Sequence, residues 1–218
     1  MIRPRICASI VSDDPDVVDK VESLVDLYEV RIDLIGDGWR KVAEHLRKPW
    51  IACNRKSDEG GMWMGSEGER VTVLLSALEL GADMIDIELS TENLKDIVPE
   101  IKKQAQCLLS FHDLAKTPPL HKMKEIVQKQ LTAGADICKV VATAQKFEDN
   151  LRPLQLIQEF PEAKVVSFAM GSLGFISRFL CPLVGGEFIY AAIEPGREAA
   201  SGQITASQLR EMYGMLKV

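Results

Sequence analysis

Short apolar runs recur along the chain, separated by segments whose apolar residues fall at helical spacing. Eight runs read as strands: RICASIV (5–11), YEVRIDL (28–34), WIACNR (50–55), DMIDIEL (83–89), CLLSFHD (107–113), DICKVVA (136–142), AKVVSFA (163–169) and EFIYAAI (187–193). The intervening segments carry helical patterns such as Val17, Val18, Val21, Leu24, Val25 and Val71, Leu74, Leu75, Leu78. Near the C-terminus, Thr205 and Gln208 have the spacing of a capping box and predict the start of a last helix. Eight strand–helix repeats with no Ser/Pro/Gly-rich linker predict a single (β/α)₈ TIM barrel over residues 1–218. The competing architecture, an open doubly wound sheet, is expected to place a glycine-rich turn after its first strand. Here that strand is followed by SDDPDVV.

The polar positions inside these runs depart from a plain barrel core. In YEVRIDL, strict alternation puts Glu29, Arg31 and Asp33 on one face. The outer face of a barrel strand lies under helices, so the charged face is expected to point into the lumen. Unpaired ions there cost several kcal/mol each, so the face demands partners. Asp86 and Glu88 on the fourth run and Arg55 at the end of the third can supply them. Asp33, Asp86 and Glu88 fit an internal salt-bridge lattice. Glu29, Arg31 and Arg55 lean toward ligand contact, because the carboxyl ends of barrel strands face the usual site.

The run ICKVV sets Lys139 on the same face as Ile137 and Val141. Desolvation or a neighbouring cation lowers an amine's pKa from about 10.4, where only ~10⁻³ is free amine near neutrality. A lysine in apolar surroundings is therefore a candidate Schiff-base former, and an ion pair with Asp86 or Glu88 is the competing reading. One strand earlier, His112 ends CLLSFH and offers Lys139 an acid–base partner. His45 and His121 fall in charged, helix-like segments and are expected to be solvated. After the third strand, NRKSDEGGMWMGSEGE carries Glu59, a candidate to orient His112, and the Gly60–Gly61 pair, suited to a tight turn at a barrel mouth; a flexible surface loop with solvated charges is the competing reading.

Composition narrows the setting. The 218 residues are 46% hydrophobic with a formal net charge of -6, and their charges are interspersed, so no basic stripe suits nucleic acid or an anionic membrane. Five separated cysteines without CxxC or Cys/His spacing predict reduced core thiols and no metal site. The N-terminus MIRPRICASIV has no signal-peptide pattern and no run of ~18 apolar residues occurs, so a cytoplasmic protein is expected.

Taken in order, ICASI, EVRID, NRKSDEGG, IDIEL, SFHDL, ADICKVV, MGSLGFISR and SGQIT resemble the type I 3-dehydroquinate dehydratases across nearly the whole chain. The resemblance implies a shikimate-pathway lyase of aromatic amino acid biosynthesis, acting on 3-dehydroquinate without a metal or organic cofactor. It implies Lys139 as the imine-forming lysine, His112 as the general acid/base and Glu59 as its assistant. Glu29, Arg31, Arg55, Arg178 and Gln203 match substrate-binding positions, with Arg178 opposite the substrate carboxylate. Met170 aligns with an apolar contact to the ring, and Ser9 lies near the site floor. A homodimer is common in the family. One departure is Ala199, where many members carry a substrate-touching serine; Ser201 stands two residues on. Two other readings stay in view. A class I aldolase would use the same lysine but needs a phosphate cradle, and a non-catalytic metabolite sensor would be expected to lose the lysine or histidine.

Overall fold

The computed structural model describes residues 3–216 and folds them around eight parallel strands. These are β1 (Ile6–Ile10), β2 (Leu27–Arg31), β3 (Trp50–Cys53), β4 (Met84–Glu88), β5 (Gln106–His112), β6 (Ile137–Thr143), β7 (Lys164–Met170) and β8 (Ile189–Ala192). The α-helices are α1 (Asp16–Asp19), α2 (Ile32–Ile35), α3 (Trp39–His45), α4 (Glu67–Ser76), α5 (Leu94–Ile101), α6 (Leu120–Thr132), α7 (Leu151–Gln158), α8 (Phe175–Leu180) and α9 (Ala206–Met215). Every β-run of the sequence becomes a strand, and the (β/α)₈ barrel is the observed architecture.

Strand order runs β7-β6-β5-β4-β3-β2-β1-β8, so consecutive strands pair and β8 returns to β1. The ring is nearly closed. Between β7 and β8 no ladder forms among the described residues; the Glu187 N–H, just before β8, donates to Val165 O at 2.9 Å. Aromatic rings occupy that seam instead, with Tyr190 edge-on to Phe168 at 6.2 Å and to Phe188 at 5.4 Å.

Helix ends follow local chemistry. Thr205 caps α9 as its spacing predicts: its hydroxyl accepts from Gln208 N at 3.2 Å, and Gln208 Oε1 accepts from Thr205 N at 3.0 Å. Ser66 and Glu69 make the same reciprocal pair at the start of α4. From α9, Arg210 reaches back to Asp26 at 2.6 Å, tying the last helix to the entry of β2. All five cysteines are free and buried, as their scattered placement predicts.

One element differs from the sequence reading. YEVRIDL does not stay extended to its end: β2 stops at Arg31, and Ile32–Ile35 turn into α2. Asp33 therefore does not continue the lumen-facing row of Glu29 and Arg31. It stands one helical turn beyond the barrel mouth, where both its oxygens grip Arg31, at 2.9 and 2.7 Å, and one also takes the Met62 N–H at 3.1 Å. Alternation reports a face only while the backbone remains extended.

Candidate active site

Parallel registry sets the polar side chains in adjoining positions. Glu88 pairs with Ser110, and Ser110 with Lys139; Cys53 pairs with both Arg31 and Asp86. At the carboxyl ends of the strands a cavity of about 340 Å³ opens, lined by residues of β2, β5, β6, β7 and β8 and by the segments that follow the strands. Its wall includes Glu29, Arg31, Arg55, Glu59, His112, Lys139, Met170, Arg178 and Gln203. Ser9 does not line it. That hydroxyl sits one layer lower, donating to Glu29 Oε2 at 2.8 Å and accepting from Gln203 Nε2 at 3.2 Å, so it positions two lining residues.

Lys139 is 4% exposed, but its surroundings are not the apolar ones its strand neighbours suggest. Its Nζ lies 2.9 Å from Asp86 Oδ2 and 3.6 Å from Glu29 Oε1, and 4.3 Å from the centre of the Tyr190 ring. The ion pair and the cavity-facing amine thus coexist. Below, Gln130 of α6 donates to the carbonyls of Leu109 and Lys139 at 2.9 and 3.0 Å, clamping β5 to β6 at the lysine. Gln130 lies on the same helical stripe as the buried Met123 and Val127. A polar residue on an apolar stripe is the signal that could have found it.

A chain of ion pairs supports this lysine. Asp86 Oδ2 also accepts from Arg55 Nη2 at 2.6 Å, Arg55 Nη1 reaches Glu88 Oε1 at 3.1 Å, and Glu88 Oε2 meets Arg70 Nη1 at 2.7 Å. Arg70 enters from α4, is fully buried, and ends on Glu67 at 2.8 Å. Against the upward push of burial, Arg55 and Lys139 hold the Asp86 carboxyl far below the usual carboxylate range. Glu29, Cys53 and Asp86 also converge closely enough to suit a metal ion, but the cationic heads of Lys139 and Arg55 already sit among them.

His112 faces the cavity from the end of β5. Glu59 Oε2 lies 3.0 Å from both its backbone N and its Nδ1, which leaves Nε2 as the free ring nitrogen. Burial, reinforced by Arg55 and Lys139, pushes the imidazole's pKa well below the ordinary histidine value. Burial also raises the Glu59 carboxyl to about 7, against the opposing pull of Arg55. The glycine pair makes this contact possible. Gly60 adopts φ +84°, and a Cβ on Gly61 would stand 2.0 Å from the Arg55 carbonyl, so the chain doubles back tightly enough to carry Glu59 under His112. His121 is exposed and His45 pairs with Asp19 at 3.2 Å, away from the cavity.

The arginines divide by partner. Arg31 is taken up by Asp33 and by the Ala199 carbonyl at 3.2 Å, and Arg55 by Asp86 and Glu88. Arg178 is 3% exposed, lies over the Phe168 ring at 4.4 Å and donates to Ser201 O at 3.0 Å. Among the described cations lining the cavity, it alone has no carboxylate partner, and burial lowers its pKa to about 10. A desolvated guanidinium open to a cavity is a site for a small carboxylate. Tyr190 and Phe168, the rings beneath Lys139 and Arg178, were not singled out from sequence, although alternation along EFIYAAI and AKVVSFA could have placed them inward.

The decisive comparison is with the family model for type I 3-dehydroquinase, which matches residues 6–218. The chain belongs to that family. A 3-dehydroquinate dehydratase of Dehalococcoides mccartyi is 44% identical over 211 residues, spanning 96% of this chain and 95% of that protein. The Geobacillus kaustophilus 3-dehydroquinate dehydratase superposes with a TM-score of 0.87 at 26% identity, covering 99% of this chain and 91% of the other. The type I enzyme of Clostridium difficile, solved with covalently modified comenic acid, gives 0.84 at 25% identity, covering 98% and 92%.

Proposed function

We propose that, in the dehydration of 3-dehydroquinate to 3-dehydroshikimate, Lys139 is the nucleophile, His112 with Glu59 moves the protons, and Arg178 holds the substrate carboxylate. The activity is that of the family, a shikimate-pathway lyase working through a lysine Schiff base. The observation that carries the residue roles is that one cavity receives a buried lysine amine, a histidine held through Nδ1 and a guanidinium with no carboxylate partner among the described residues.

The Lys139 amine attacks the C3 ketone, and loss of water leaves an iminium. The iminium acidifies the C2 proton, which His112 Nε2 removes to give an enamine. The same imidazolium then protonates the C1 hydroxyl, which departs as water, and hydrolysis of the product imine frees Lys139. Asp86 and Glu29 are the groups nearest the lysine's proton. The electron sink is the iminium itself, so the reaction as written calls on no other cofactor. Glu29, Arg31, Arg55, Met170 and Gln203 complete the walls around substrate, and Ser9 supports Glu29 and Gln203 from below.

Borohydride added with 3-dehydroquinate, followed by peptide mass spectrometry, tests the assignment: the expected adduct is on Lys139. An adduct elsewhere, or none, overturns it. The reading extends to one catalytic domain over residues 1–218, a homodimer and a cytoplasmic location. Light scattering reads the oligomer, and cell fractionation the location. No described helix is long and apolar enough to cross a membrane.

A further inference from the structure

Both oxygens of Glu59 are engaged, and one donor comes from outside the groups that the chemistry uses. Oε2 takes the His112 backbone N–H and faces Nδ1. Oε1 accepts from the Ser90 hydroxyl at 3.0 Å. Ser90 is exposed, two residues past the end of β4 in the turn toward α5, and its hydroxyl crosses to a residue of the loop after β3.

We infer that Ser90 is a positioning residue for the acid–base pair: its hydroxyl fixes Glu59 in the ionised form that accepts from His112 Nδ1 and leaves Nε2 a free base. The inference rests on the reading of His112 as the proton-transfer group.

Two proton arrangements compete at this pair. With Glu59 ionised, Nδ1 keeps its hydrogen and Nε2 presents a lone pair to the cavity. With Glu59 protonated on Oε2, the carboxyl donates to Nδ1 and the ring hydrogen moves to Nε2, where it blocks proton abstraction. The backbone N–H of His112 already opposes a proton on Oε2. Ser90 opposes one on Oε1, since protonation there would force the hydroxyl to reverse and become the acceptor. Every donor is thus aligned with the carboxylate form.

The charges around the pair make one hydroxyl matter. Burial and Glu88 from β4 push the Glu59 carboxyl up, while Arg55 after β3, the Ser90 hydroxyl and the His112 N–H pull it down, with the balance near 7. Around His112 stand Arg55, Lys139, Asp86 and Arg31. A carboxyl balanced so close to neutrality changes its ionised fraction when a single donor is lost. One titrating at its ordinary value would stay ionised regardless. The two groups titrate as a coupled pair, and the readout belongs to the pair.

The test is the pH profile of kcat and kcat/KM with 3-dehydroquinate for wild type, Ser90→Ala, Ser90→Thr and His112→Ala. Because Ser90 is exposed, replacing its hydroxyl leaves the core packing intact. The expected result is an acid limb moved to higher pH by about 0.5–1 unit in S90A, with S90T returning it toward wild type. A superimposable limb, a rate loss equal at every pH, or a shift that S90T does not reverse overturns the inference. Full turnover in H112A would instead overturn the underlying proton-transfer reading, wherever the S90A limb lies.

Discussion

Lys139 Nζ lies 2.9 Å from Asp86 Oδ2, and that same oxygen accepts from Arg55 at 2.6 Å. The arrangement is asymmetric. Taking away the lysine leaves Asp86 paired with Arg55, whereas neutralising Asp86 takes the shortest ion pair from two buried cations at once, leaving Arg55 with Glu88 and Lys139 with Glu29 at 3.6 Å. Lys139→Ala is expected to fold with a loss of about 1–2 kcal/mol or less while losing all covalent chemistry. Asp86→Asn is expected to lose about 3–5 kcal/mol. Urea denaturation separates them; equal midpoints for D86N and wild type would remove the structural role given to Asp86.

In the proposed mechanism His112 acts after the imine forms. His112→Ala should therefore still yield a borohydride adduct at Lys139 with 3-dehydroquinate, while turnover falls by roughly 10²–10⁴-fold. Loss of the adduct together with turnover would place His112 in imine formation as well.

Arg178 and Arg31 line one cavity but have different partners. Arg178→Ala removes the guanidinium free to meet a carboxylate, and KM is expected to rise roughly 10–100-fold, the scale of a charge-assisted hydrogen bond. Arg31→Ala leaves Asp33 buried without its cation, so its larger effect is on stability. Steady-state kinetics beside thermal melts distinguish the two, and reversed effects would overturn the assignment.

Glu59 has its carboxyl raised from 4.5 to about 7 in the fold. Between these values the folded chain holds a proton that the unfolded chain has released, so this group's contribution to stability falls as pH rises through the window. Glu59→Gln removes the dependence. Relative to wild type, E59Q is expected to gain about 1–3 kcal/mol between pH 4.5 and pH 8, measured by denaturation at both. A difference independent of pH would show that burial does not raise this carboxyl.

The strands were legible because barrel sheets bury both faces of each strand, so each stands out as a short apolar run in which a charged position is conspicuous. The charged lumen of β2 and β4 was legible for the same reason. Asp33 was misplaced because a turn after Arg31 has no signature in alternation. The sequence leaves Lys139 between apolar surroundings and an ion pair because its own strand neighbours are apolar, while the carboxylates beside it come from β2 and β4; the pair with Asp86 is the one that forms. Ser90 and Arg70 escaped notice for a related reason: their partners lie 31 and 18 positions away, and only the closed barrel brings them together.

The gap between β7 and β8 has a consequence for slow motions. Elsewhere around the barrel, ladder hydrogen bonds protect the strand amides. Here rings of Phe168, Phe188 and Tyr190 fill the boundary with few backbone bonds behind them. Deuterium uptake should therefore enter the barrel along this line first, with amides facing the seam exchanging well before those between β4 and β5. The lysine and the arginine assigned to the substrate in the proposed mechanism both rest on those rings, Lys139 on Tyr190 and Arg178 on Phe168. Ligand binding is then expected to slow exchange along the seam more than anywhere else in the sheet.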